Sequence, residues 1–354
     1  MSTPRSGLRP SRPPQGSKKV AKQHFLGKLS PTAVVGLASL AAIGVSLAMG
    51  RYGASLAYTV AIAGIGALGL NLLIGYCGQI SFAHGGLLGV GAYAAGNLGN
   101  AGADLFAVLG GGVAAALASL LIGLPAMRLR GLYFAIATLA AQAILEYLFK
   151  TIEPLTNGVS GLLVKPLTVF GTAVSADQGY AALAFVCLAL AWLLVAWLMR
   201  TNLGRAFLIV RESEIVARGM GIDVGRTKLI AFAISGFLAG IAGALMAFTA
   251  RLAHPEMFGL GLSVDYTAMI IVGGLGSQIG SLIGAVFVTL LPEFIQRSGE
   301  ALHMADLTFA IRELMFGALI IVFLVFEPRG IAALTRRFRR RRPATASAPR
   351  EPTA

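Results

Sequence analysis

Charge is scarce in this chain. Only 12% of its 354 residues are Asp, Glu, Lys or Arg, about half the share of a soluble globular domain. Hydrophobic residues make up 56%, and the mean hydropathy is +0.77. The few charges sit in short blocks. Between them run apolar segments long enough to cross roughly 30 Å of hydrocarbon as helices. The ten-residue alternating segments of a membrane β-barrel are missing. These features exclude a soluble domain and leave an all-α, polytopic membrane protein.

Other absences narrow the chemistry. No glycine-rich loop ends in Gly-Lys-Ser/Thr, the phosphate cradle of an ATPase; the Gly27–Lys28 pair is followed by Leu29. If nucleotide drives this protein, another chain binds the ATP, and no cofactor is expected here. No HExxH, GxSxG or paired aspartates appear. The histidines are His24, His84, His254 and His303. His254 and Glu256 read as ordinary loop residues rather than as metal ligands. Cys77 and Cys187 lie in apolar segments without metal-ligand spacing and behave as small hydrophobes. Carboxylates are nearly absent from the apolar segments. Glu146 and Glu293 stand four residues before Lys150 and Arg297, a spacing for pairs on a helix surface. Asp265 lies near the start of a span. A stand-alone carrier coupled to protons would carry acids in mid-membrane, so that reading and a membrane enzyme both rank below a transport subunit.

Ten spans are expected, at about 32–49, 54–75, 80–99, 104–127, 131–149, 179–199, 228–250, 260–276, 281–296 and 310–327. The segments 80–99, 260–276 and 281–296 are short and glycine-rich, as re-entrant or broken helices are. Residues 1–31 read as a disordered basic tail, followed by an uncleaved first helix rather than a signal peptide. With both termini cytoplasmic, 1–31, Arg128–Arg130, 200–228 and 329–354 hold 23 Lys/Arg, against six on the other side. That split fits the positive-inside bias. It places a membrane domain at 32–328, a periplasmic loop at 150–178, a charged loop at 200–228 inside, and a basic tail at 329–354. The net charge of +14 then reflects topology and contact with a lipid bilayer, not nucleic acid. The RRFRRRR run at Arg336–Arg342 reads as a topology anchor.

Glycine is abundant, with 45 residues. Gly236 and Gly240, and the ladder Gly276, Gly280 and Gly284, have the spacing of close helix crossings, which in lipid depend on small residues. Polar residues concentrate in two glycine-rich stretches. Asn71, Gln79, Ser81 and His84 occupy the first, and Ser277 and Gln278 the second. Each lines a path or lies at a helix crossing. The charged stretch RESEIVARGMGIDVGRTK, 211–228, forms two helical turns over 211–218. Gly219 and Gly221 end that helix, and Asp223 caps the next.

Four ordered motifs carry a resemblance: LNLLIGYCGQISFAHGGLLGVGAY at 70–93, RGLYFAIATLA at 130–140, the run 201–245 around ESEIVARGMG, and IIVGGLGSQIGSLIGAVF at 270–287. The chain resembles the permease family of bacterial high-affinity branched-chain amino acid importers, of the LivM type, across 54–330. The resemblance implies a non-enzymatic ABC importer subunit of the cytoplasmic (inner) membrane, similar in architecture to vitamin B12-type importer permeases. It implies a second related permease, two cytoplasmic ATP-binding subunits and a periplasmic substrate-binding protein as partners. It further implies that the 200–228 loop carries a coupling helix for the ATPase, with Arg211, Glu212, Glu214, Ala217, Arg218, Gly219 and Gly221 at its core; either Glu214 or Glu212 takes the glutamate role. Branched-chain amino acids are the expected substrate. Urea and short amides are the alternative.

Overall fold

In the computed structural model, residues 50–126, 129, 131–169, 172–173, 177–301 and 317–318 are described. The expected span at 32–49, nearly all of that at 310–327, and both basic tails lie outside them. Each of the other eight expected spans corresponds to a helix.

The first helix, α1 (Gly50–Asn71), continues into a widened π-turn, Leu72–Tyr76. Gly78, at φ +74°, then lets the chain reverse, a conformation open to glycine without a Cβ clash. The chain runs back along α1 without helical structure until α2 (His84–Asn100) begins. His84 Nε2 lies 3.1 Å from the carbonyl of Gly66, so α2 starts beside the interior of α1, ten residues short of its π-turn end. This is the physical reason that 80–99 looks weak as a span: the helix holds only seventeen residues, and a non-helical segment precedes it.

Helix α3 is Asp104–Ala126 and α4 is Leu132–Thr151. A short turn, α5 (Glu153–Thr156), leads into two dipeptide strands, β1 (Leu162–Leu163) and β2 (Thr168–Val169), and a third, β3 (Thr172–Ala173). The β2–β3 pair is a local hairpin. Helices α6 (Asp177–Leu198), α7 (Asn202–Glu212), α8 (Glu214–Gly219) and α9 (Val224–Ala250) follow. Strand β4 (Leu252–Ala253) pairs antiparallel with β1, Leu162 opposite Ala253. The all-α expectation therefore needs a small amendment: two short β pairs in the loops. Last come α10 (Leu260–Gly273) and α11 (Gln278–Ala301).

Six described helical segments are long and apolar enough to cross a membrane. Their burial sorts them. The windows of α1 and α9 are 72% and 61% buried, those of α3 and α4 only 39% and 28%. The first pair is buried on most sides, while α4 and one face of α3 are left open. Leu132, Tyr133, Ile136 and Tyr147 of α4 are exposed, an apolar face suited to lipid or another membrane helix.

Glycine sets how closely the centre packs. A Cβ on Gly240 would meet the backbone of Gly111 and Gly112 in α3, and one on Gly236 would strike Ser119. A Cβ on Gly91 of α2 would strike the backbone of Gly240. Three helices thus meet backbone to backbone. The α10–α11 hairpin repeats the device: Gly280 lies against the Gly273 carbonyl and Gly284 against that of Met269. Gly276 serves differently, holding φ +74° in the connecting turn.

Replacing Gly240 by Val should therefore force α3 and α9 apart. A loss of about 1–3 kcal/mol is expected from overpacking, read as a lower melting temperature of the detergent-solubilised protein. Gly219→Ala should not lower the melting temperature, because the residue is helical and nothing lies within 4 Å of a Cβ there.

Candidate functional site

The charged stretch 211–228 does not fold as one helix over 211–218. Ser213 is extended (φ −163°) and separates α7 from α8. Its hydroxyl accepts from the Val216 amide at 3.4 Å, capping α8, as hydroxyl side chains do at helix starts. At the other end, the Gly221 amide donates to Arg218 and the Ile222 amide to Ala217, both at 3.0 Å. With Gly221 at φ +78° this is a Schellman ending. Gly221 alone supplies the left-handed residue; Gly219 belongs to the helix. Asp223 then caps α9, accepting from the Arg226 amide at 3.0 Å.

A six-residue helix has little intrinsic stability, so its anchors matter. Ala217 is buried under it, while Ile215 (80% exposed), Val216 (55%) and Met220 (63%) face outward with Arg218. Glu214 turns inward. Its carboxylate meets the ammonium of Lys228 at 2.5 Å, with the Lys228 side chain only 4% exposed; Arg218 approaches the same carboxylate at 3.8 Å. Lys228 is buried in the second turn of α9 beside Thr227, and a lysine there would be costly without a partner. Glu212, by contrast, is exposed.

Arg211 forms the second anchor. Its guanidinium donates to the carbonyl of Gly75, at the end of the α1 π-turn. A Cβ on Gly78 would touch the Arg211 side chain, and one on Gly276 would lie 2.9 Å from Arg211 Nη1. The tip of α7, the end of α1 and the α10–α11 turn thus meet at one guanidinium.

Asn71 locks the same junction from inside. Its Nδ2 donates to Ser281 Oγ at 2.7 Å and to the Ser277 carbonyl at 3.1 Å, and its Oδ1 accepts from the Gly276 amide at 2.9 Å. Ser277 Oγ accepts from the Gly280 amide at 3.1 Å. Asn71 and Ser277 therefore lie at a helix crossing. Gln278 Nε2 is buried without a partner. Gln79 donates weakly to the Cys77 carbonyl at 3.4 Å, and Ser81 Oγ accepts from the Ala83 amide at 3.4 Å. His84 is buried, with its ring edge-on to Tyr266, 5.2 Å between centroids. The structure gathers Asn71, Gly276, Ser277 and Arg211 at one end of the bundle, and sets His84 apart from them, beside the interior of α1.

A second polar cluster is centred on α4, outside the two glycine-rich stretches. Gln142, mid-way along α4, accepts from the Gly86 amide at 2.7 Å and donates to the Phe258 carbonyl at 2.8 Å and to Glu146 at 3.0 Å. Ser263 Oγ accepts from the Gly85 amide at 2.8 Å, and Thr138 from the Phe82 amide at 3.0 Å. Together they satisfy the free amides at the buried start of α2. The available signal was an amide side chain in the middle of an apolar span. His254 Nδ1 accepts from the Glu256 amide at 3.3 Å, a turn cap. Near that end, α2, α3, α4 and α5 line an open apolar pocket of about 420 Å³ that includes Tyr93, Phe149 and Leu155.

Apolar spans, glycine crossings and a buried broken helix define a polytopic helical membrane protein. Residues 52–324 match the family described as the branched-chain amino acid transport system permease component, and the chain belongs to that family. It is 30% identical over 291 residues to the high-affinity branched-chain amino acid transport system permease protein LivM of Escherichia coli K12, and equally to that of Salmonella typhimurium LT2. Each match covers 75% of this chain and 66% of the relative, just under two thirds of its length. The autoinducer 2 import system permease protein LsrC of Escherichia coli SMS-3-5 is 27% identical over 278 residues, 75% of each chain. No solved structure matches.

Removing one partner of the Glu214–Lys228 pair should cost about 3 kcal/mol, the low end for a buried pair, because Glu214 keeps 22% of its side chain exposed. Glu214→Gln and Lys228→Met should together lower the melting temperature less than the sum of the two single changes, a non-additivity that measures the pairing.

Proposed function

We propose that this chain is the membrane-spanning permease subunit of an ABC importer and forms half of a path for branched-chain, hydrophobic amino acids. Two ATP-binding subunits drive it from the cytoplasm. A second related permease completes the path, and a periplasmic binding protein delivers substrate. In this reading the protein is a multi-pass component of the bacterial inner membrane with ten spans and both termini in the cytoplasm, and its architecture is of the vitamin B12-importer type.

The observation that carries the reading is α8. A short, doubly capped helix presents Ile215, Val216 and Met220 outward from a loop between membrane helices. Apolar side chains held open to water on an ordered element suit a protein partner, and a central apolar anchor with a charged rim is how such contacts gain their energy. Of the two candidate glutamates, Glu214 is engaged with Lys228 and positions the helix, while the exposed Glu212 is free to meet a partner's surface. Among the candidate path residues, Gln278, with its unsatisfied amide, is the best placed to face a polar substrate group; Asn71 and Ser277 are spent on the crossing.

Two measurements test this. Ile215→Asp or Val216→Asp should abolish co-purification of the ATP-binding subunits while leaving membrane insertion intact; unchanged co-purification would refute the docking role. Deleting the chain should abolish uptake of labelled leucine that isoleucine and valine compete for. Unchanged leucine uptake with loss of urea uptake would instead support the amide alternative.

A further inference from the structure

The outward face of α8 explains how a partner could be held, but not how its motion would reach the membrane helices. Resting on the docking reading above, we infer that Arg211 is the positioning residue that passes movement of α8 to the α1 end and the α10–α11 turn.

The π-turn at Leu72–Tyr76 ends α1, and the amides of Cys77, Gly78 and Gln79 bond to Leu72, Ile74 and Leu73. The Arg211 guanidinium donates to the Gly75 carbonyl, one of the acceptors that a helix end leaves open. The guanidinium also fills the space that glycine leaves open at Gly276. Gly75 in turn lies against Asn71 and the Gly276 amide, and Asn71 holds Ser281 of α11. Two residues beyond Arg211, Ser213 starts α8. A displacement of α8 therefore has two routes inward. Glu214 pulls on α9 through Lys228, and Arg211 pulls on α1 and the α10–α11 turn together. A planar guanidinium with several fixed donors transmits direction as well as attraction, which a flexible ammonium does less well.

The test uses the complete transporter in proteoliposomes, reading substrate uptake per ATP hydrolysed. Arg211→Gln should retain the ATP-binding subunits yet lower uptake per ATP by about fivefold to tenfold. Arg211→Lys should recover part of that loss. Uptake per ATP that is unchanged in Arg211→Gln, while Ile215→Asp releases the ATP-binding subunits, would overturn the inference and leave the docking reading standing. Retention of those subunits by Ile215→Asp would overturn both. Should Arg211→Gln not assemble, spin labels at Arg205 and Leu275 in the otherwise wild-type complex decide the matter. A separation constant across nucleotide states is expected, since the two elements would move as one body. A separation that changes with nucleotide would refute the link.

Discussion

Hydrocarbon offers no hydrogen bonds, so a helix that starts or stops inside a membrane protein must find partners for its free backbone groups within the protein itself. This chain interrupts its helices at several points, and its polar side chains are placed by that need. Gln142, Ser263 and Thr138 receive the amides at the start of α2. Asn71 serves the α10–α11 turn. Arg211 serves the end of α1. The scarce polarity of the sequence is thus used mainly to allow broken helices, and the broken helices in turn give the bundle places where two elements meet at a turn rather than along a face.

Glycine supplies the complementary condition. With backbone against backbone at Gly91, Gly111 and Gly240, α2, α3 and α9 have almost no side-chain layer between them to absorb relative sliding. The α10–α11 hairpin is bound as closely. Such units move as bodies, and displacement is concentrated at the junctions between them. The charged loop touches two of those junctions. In the proposed importer, this combination of stiff units and charged links would make the six-residue α8 mechanically useful as a docking helix.

Much of this was legible in the residues. Hydropathy located every described long helix, because a twenty-residue apolar run is an unambiguous signal. The caps at Asp223 and Gly221 followed from residue type. The extended break at Ser213 did not, since the periodicity of 211–218 continues through it and only the fold's demand on Arg211 and Glu214 separates the two helices. Nor could spacing alone tell that Glu214 would turn to Lys228, fourteen residues on, because that pairing exists only once α9 folds back beside α8. Gln142 was visible as a polar residue in an apolar span, but its meaning depended on where α2 begins, and the broken start of α2 is written in tertiary contacts rather than in local pattern. The short β1–β4 pair was likewise out of reach, two dipeptides ninety residues apart.

That pair has a consequence of its own. It ties the loop after α5 to the chain leaving α9, while Lys228 ties the charged loop to the beginning of the same helix. Helix α9 is twenty-seven residues long, roughly 40 Å from end to end. Ligands bound at its two ends would load a single stiff rod, and by thermodynamic reciprocity any effect of one on the affinity of the other would be returned to the same degree.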